Sequence, residues 1–206
     1  MTDTITKEEI AQLEVEEYNG NIVVVQSLDV LEDAISQLRS KKVIGFDTET
    51  RPSYKKGVLH HVSLIQLATE DTCFLFRVNK IDFPKPLTDL LSDPAIIKVG
   101  LSLRDDFHSI RRRTAISPQG FVDLQLLAPK YQIIDSSLQK MYAILFNKKI
   151  SKRQRLTNWD AEALTENQQK YAALDAWACL KIYSRLKELS ANTRTGKREG
   201  TKDITE

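Results

Sequence analysis

Val43-Ile44-Gly45-Phe46-Asp47-Thr48 (VIGFDT) is short, β-branched and apolar until its last two residues, so it reads as a buried strand that ends on an acid. Upstream, Asn21–Gln26 is a second β-branched run. Ser27 is placed to cap a helix from Leu28 to about Arg39, with Val30, Leu31, Ile35 and Leu38 on one face. Downstream, Val62–Thr69 (VSLIQLAT) and Cys73–Phe76 (CFLF) flank the polar segment Glu70–Thr72, which predicts a hairpin. Leu87–Leu91 reads as a short helix and Ile96–Gly100 as a strand. From there the pattern is helical: Leu103–Arg113, Leu124–Lys130, Ser137–Leu145 and a long stretch from about Glu166 to Leu189. Strands come early and helices late, with alternation between them. The fold class is therefore α/β: a mixed β-sheet covered by helices, in a single domain, rather than a regular doubly wound sheet.

The chain has 206 residues, 41% hydrophobic and 28% charged, a globular mixture able to build one core. Its longest apolar runs are four or five residues, too short to enter a membrane. The opening MTDTITKEEIAQ has neither the basic start nor the apolar stretch of a secretory signal. Cys73 and Cys179 lie far apart in apolar surroundings and read as reduced core residues, so a cytoplasmic location is expected. There is no phosphate-loop motif of the GxxxxGK type and no internal repeat.

The formal charge of +2 averages over opposed regions. Residues 1–20 hold one lysine against six acids and are expected to form an acidic, partly flexible segment. The polar stretch 190–206 is expected to be a disordered tail, leaving 21–189 as the folded domain. Between Asp135 and Asp160 there is no acid, but there are Lys140, Lys148, Lys149, Lys152, Arg153 and Arg155. Such a run is either a solvated face or an edge that grips phosphates.

Four carboxylates occupy positions that local patterning turns inward. Asp47 and Glu49, two residues apart on a strand, share one face. Asp106 falls on a helical stripe with Leu103 and Ile110, beside Phe107. Asp175 is four residues after Tyr171, on a stripe continued by Ala178, Ile182 and Leu186. Taken singly, each has an ordinary reading: Asp47 solvated at a strand end, Asp106 paired with Arg111 or Arg112, Asp175 with Lys181. Asp123, after Phe121 and Val122, reads as the N-cap of the next helix. If the four inward acids converge, they repel one another unless a divalent cation neutralises them. An all-oxygen pocket favours Mg²⁺ or Mn²⁺ over zinc.

These residues resemble the DEDDy group of 3′→5′ exonucleases, Werner-type domains in particular and ribonuclease D more distantly. The first motif is matched by Phe46-Asp47-Thr48-Glu49-Thr50. The second is matched by Val99-Gly100-Leu101-Ser102-Leu103-Arg104-Asp105-Asp106-Phe107, where alignment selects Asp106 over Asp105. The third is Tyr171-Ala172-Ala173-Leu174-Asp175-Ala176. Ser63–Leu67 (SLIQL), Leu156–Trp159 (LTNW) and Leu164–Gln168 (LTENQ) add smaller likenesses between them. Gly100-Leu101-Ser102 replaces the His-containing form that many relatives carry, as in Werner-type domains.

The resemblance implies a ribonuclease H-like fold and phosphodiester hydrolysis at a 3′ end, DNA favoured over RNA, with two divalent cations. It implies that Asp47, Glu49 and Asp175 hold the cation that activates water, with Asp47 bridging to the second, which Asp106 orients. Tyr171 positions the water; with an ordinary pKa near 10 it is a poor base at neutral pH. Lys148, Lys149, Lys152, Arg153, Arg155 and Arg111 are candidates to grip the nucleic-acid backbone, and Leu64 and Phe107 to pack against the terminal base or sugar. No helicase motor is present, so a helicase or polymerase partner would be a separate chain.

Overall fold

Val43–Thr50 forms β3, an inner strand of a six-stranded sheet. Its neighbours are Val62–Ala68 (β4), antiparallel, and Ile97–Gly100 (β6), parallel. The computed structural model describes the backbone of residues 4–199 and side chains as far as Ala191. Before β3 come helix α1 (Lys7–Gln12), the two-residue β1 (Glu14–Val15), β2 (Asn21–Val25) and α2 (Leu28–Arg39). After β4 come β5 (Thr72–Phe76), α3 (Val78–Ile81) and α4 (Lys85–Leu91), which lead into β6. The remainder is α5 (Leu103–Arg111), β7 (Phe121–Asp123), α6 (Leu124–Leu127) with a 3₁₀ turn at Ala128–Tyr131, α7 (Leu138–Phe146), β8 (Lys148–Lys149) and α8 (Glu166–Glu199). The sheet order is β2-β5-β4-β3-β6-β7, with parallel and antiparallel pairs. The expected mixed sheet covered by helices is what forms.

Side-chain alternation along the strands divides the core in two. Ile44, Phe46, Ile65, Leu67, Phe74 and Phe76 pack with Leu31, Ile35 and Leu38 of α2 and with Leu87, Leu90 and Leu91 of α4. On the opposite face Leu64, Ala68, Cys73 and Leu75 meet Ala172, Ala176, Cys179 and Ile182 of α8. Gly45, Asp47 and Glu49 alternate with Ile44 and Phe46, which turns both acids toward α8. All seven residues of β4 are buried, as befits a central strand.

Several expectations are corrected. Residues 7–18 are folded onto the domain rather than loosely attached. The α1 helix carries a reciprocal capping box between Thr6 and Glu9, Ile10 and Tyr18 are buried, and β1 pairs in parallel with β8. The capping box and the charge match with the lysines of β8 overcome the solubility of so acidic a segment. The helix expected to stop near Leu189 continues to Glu199, so residues 190–199 are not an irregular tail; 200–206 lie outside the described residues. Ser27 stands at the N-cap of α2 but makes no side-chain cap bond, and Val30 is exposed while Ala34 takes its place on the buried face. No helix among the described residues is long and apolar enough to cross a membrane.

Candidate active site

Glycine at position 45 sets the distance between β3 and α8. A Cβ there would lie 1.9 Å from the Ala176 carbonyl oxygen, so only glycine allows the helix backbone to settle on the strand at this point. Asp47 is two residues along β3 on the same face, and Asp175 immediately precedes Ala176. The close approach therefore brings the two acids together. Ligand oxygens of Asp47, Glu49 and Asp175 all lie within 4.8 Å of one another. The register of β3 against β4 shifts between Glu49 and Thr50, which ends regular pairing at the mouth of the cluster.

Asp106 is not one of these three. It sits on the first turn of α5, where Thr48 donates a hydrogen bond to its Oδ1. The start of α5 is in turn fixed by Asp123, whose carboxylate accepts from the backbone N–H of Ser102 (3.2 Å) and Leu103 (3.0 Å). Asp123 also accepts from Gln125 N–H at 2.9 Å, the N-cap role read from sequence. Asp105, the sequence neighbour of Asp106, faces solvent. Thr48, Gly45 and the second role of Asp123 escaped the sequence reading. Only Gly45, two residues before the strand-end acid, carried a visible signal.

Burial raises the pKa of every acid in the site, and for Asp47 and Glu49 the charges of the other acids add to it. Asp47 is pushed well above the ordinary carboxylate range by burial, then by Asp175 and Asp106. Glu49 is raised by burial and by the charges of Asp47, Asp175 and Asp106, with Arg155 opposing. Asp175 rises to about 7 through burial, moderated by the Tyr171 hydroxyl and the Lys152 charge. Asp106 also rises to about 7, burial outweighing the Thr48 hydrogen bond. Among the described residues no salt bridge reaches Asp47, Glu49 or Asp175. Crowded, largely buried carboxylates with no salt bridge form a donor set that fits a hard divalent cation.

Tyr171 is one turn before Asp175 on α8 and shares its face. Burial and the neighbouring carboxylates lift its hydroxyl above the ordinary tyrosine range, so it stays protonated and donates. Its ring lies 6.1 Å from that of the fully buried Trp159. Trp159 pins the loop after β8, and Ser63 Oγ donates to Asp160 (2.6 Å) while the Arg77 guanidinium donates to the carbonyls of Ala161 and Glu162. Thus anchored, the loop places Lys152 and Arg155 on the wall of a cavity of about 220 Å³ shared with Asp47, Tyr171 and Asp175. Arg153 lines the adjoining recess on the far side of Tyr171.

The other candidates are placed differently. The Lys148 ammonium pairs with Glu16 at 2.9 Å and that of Lys149 donates to the Ala11 carbonyl, so both are engaged by the acidic N-terminal segment. Leu64 is fully buried opposite Glu49 in the sheet, a packing residue beneath the acids with no surface left for a base. Phe107 is half-buried edge-on to Phe121, and Arg111, exposed, lies 5.9 Å from its ring.

A mixed sheet that presents clustered carboxylates at the end of one strand against a helix with Tyr-x-x-x-Asp defines a hydrolytic nuclease class. The family model for 3′-5′ exonucleases matches residues 22–190, and the chain belongs to that family. It is 35% identical over 164 residues to the mouse bifunctional 3′-5′ exonuclease/ATP-dependent helicase WRN, covering 77% of this chain and 12% of that protein. The Nibbler EXO domain of Aedes aegypti has the same fold, with a TM-score of 0.78 at 22% identity over 87% of this chain and 94% of that one. Escherichia coli RNase D, an exoribonuclease, matches with a TM-score of 0.73 at 26% identity over 82% of this chain and 44% of that one. The chain spans about half or less of the length of the first curated relatives it matches.

Proposed function

We propose that the chain is a metal-dependent 3′→5′ exonuclease that hydrolyses the terminal phosphodiester of nucleic acid, DNA in preference to RNA, and releases nucleoside monophosphates. The observation that carries this reading is the convergence of Asp47, Glu49 and Asp175 within 4.8 Å, Asp47 half-buried and the other two buried, with no salt bridge to any of them among the described residues. Two divalent cations, Mg²⁺ or Mn²⁺, bound there would offset charge on the phosphoryl and leaving 3′ oxygens and make water acidic enough to attack. Asp47, Glu49 and Asp175 would hold one, and Asp106, steadied by Thr48, would complete the site for the other.

The chain's own residues supply the rest. The Tyr171 hydroxyl, kept protonated, positions the attacking water and does not abstract its proton. Lys152 and Arg155 face the acids across the cavity and attract the phosphate that the carboxylates alone would repel. The resemblance to Werner-type domains favours DNA, while Escherichia coli RNase D, of the same fold, is an exoribonuclease. The reading includes a cytoplasmic location, in keeping with the buried free thiols of Cys73 and Cys179.

The test uses 5′-labelled single-stranded DNA, recessed duplex DNA and RNA, each with Mg²⁺ or Mn²⁺. Stepwise shortening from the 3′ end is expected, lost in Asp47→Ala and Asp175→Ala while oligonucleotide binding persists. Binding by the wild type with no nucleotide released in either metal would instead identify a catalytically silent nucleic-acid-binding module.

A further inference from the structure

The two longest acid-free stretches of the chain each carry several bases. One is residues 136–159; the other is residues 50–69, with Arg51, Lys55 and Lys56, and His60 and His61 beside them. They lie far apart in sequence, and the fold joins them at the mouth of the acid cluster. After Glu49 the chain leaves the sheet as a loop spanning 51–61 before returning as β4. From the other side comes the loop after β8. The two meet where the Tyr54 hydroxyl donates to the Leu156 carbonyl oxygen at 3.4 Å, one residue from Arg155, whose charge acts on Glu49.

This junction is apolar as well as basic. Tyr54 is 81% exposed, Leu59 68% and Leu156 62%, with Val58 close behind. These are four of the nine large hydrophobic side chains exposed among the described residues, and Tyr54 is the single aromatic in that class. Arg51, Tyr54, Lys55, Val58 and His60 line a shallow recess of about 370 Å³. Tyr54 is held at its hydroxyl end, and its ring is left open to solvent. An open aromatic face among arginine and lysine, without a carboxylate, matches the surface of single-stranded nucleic acid, which offers bare bases and regularly spaced phosphates. Leu156, which holds the Tyr54 hydroxyl, follows Arg155 on the wall of the catalytic cavity, and this nearness puts that strand on the path to the acids.

We propose that loop 51–61 is a subsite for single-stranded nucleic acid upstream of the scissile bond, with a base stacked on Tyr54 and adjacent phosphates held by Arg51 and Lys55. This deepens the exonuclease reading and rests on it. A base inside a duplex has both faces covered, so the subsite selects an unpaired 3′ tail. Every base has a π face, so the choice is independent of sequence.

The experiment compares the full chain with Tyr54→Ala and Tyr54→Trp in two assays. Binding of a fluorescent 12-nucleotide oligothymidylate is followed by anisotropy in EDTA. Hydrolysis of the same oligonucleotide is measured against that of the p-nitrophenyl ester of thymidine 5′-monophosphate, which has no upstream strand. Tyr54→Ala is expected to weaken binding about tenfold and to lower the ratio of kcat/KM for oligonucleotide over ester by a similar factor, as loss of one stacked base predicts. Tyr54→Trp is expected to restore both. Wild-type affinity and ratio in Tyr54→Ala, as a patch serving a protein partner would give, overturn the proposal; so does failure of Tyr54→Trp to recover. If the wild type cleaves neither substrate, the exonuclease reading fails on its own, and the anisotropy series still decides the subsite.

Discussion

Gly45 and Ala176 are in backbone contact: a methyl group on the first would fall 1.9 Å from the carbonyl oxygen of the second. The contact fixes how deep α8 sits on β3, and with it the separation of Asp47 from Asp175. Gly45→Ala must push the helix away. Overpacking of this kind costs about 1–3 kcal/mol, and a shift of about 1 Å at a reacting centre costs on the order of a hundredfold in rate. We expect Gly45→Ala to remain folded with a lowered Tm and to lose at least that much exonuclease activity. Calorimetry and a single-turnover digestion check it; full activity would show that α8 is not held by this contact.

The acid cluster opposes folding when no cation is present. Asp106 and Asp175 have folded-state pKa values raised to about 7, so the folded chain binds these protons more tightly than the unfolded chain. Their contribution to stability is fully present below about pH 4, near the unfolded value, and is lost as pH rises through 7. In EDTA the Tm of the wild type should fall relative to that of Asp175→Asn between pH 5 and 8, with the variant the more stable at pH 8. Mg²⁺ or Mn²⁺ binds only the folded state and competes with the protons, so its stabilising effect should be larger at pH 8 than at pH 6. Melting curves with and without metal at the two pH values decide the point. A Tm difference independent of pH would contradict the clustering of charge.

The basic run divides into two functions. Glu16 is buried and accepts from the Tyr142 hydroxyl at 2.6 Å and from Lys148, with Lys181 3.7 Å away. Glu16→Ala leaves that hydroxyl buried without its acceptor and should cost about 1–3 kcal/mol. Arg155→Ala should leave stability near wild type, weaken oligonucleotide binding several-fold and reduce the slope of log affinity against log salt by about 0.7. Lys148→Ala should lower Tm without changing that slope. A salt slope altered equally by Lys148→Ala and Arg155→Ala would return Lys148 to the substrate path.

Long elements with a clear period were legible in the sequence. The hairpin of β4 and β5, the stripe on α2 and the i,i+4 pair on α8 each follow from local patterning. So did the carboxylates, because acids in an apolar strand or on an apolar helical stripe are anomalous wherever they occur. What stayed hidden depends on contacts between distant segments. The two-residue strands β1 and β8 have no period, and their pairing links positions 14 and 148. Lys148 and Lys149 therefore looked free beside Lys152 and Arg155. Thr48 carries no signal at all, since nothing near it in the chain announces a partner 58 residues away. Leu64 was drawn to the substrate by its motif, but full burial in a central strand left it only a packing role.

The pairing of β1 with β8 also bears on where the functional unit begins. The family match starts at residue 22, downstream of β1, the strand with which β8 pairs. A chain trimmed to that boundary would lose Glu16 and the backbone partner of Lys149, and leave Tyr142 and two lysines facing an empty groove. Lys152 lies three residues beyond β8 on the loop that also carries Arg155, so the trimmed protein would keep all four clustered carboxylates while losing one tether of the cavity wall that faces them. Residues 4–20 are in this sense a strap, packed against the domain although they lie outside its family signature.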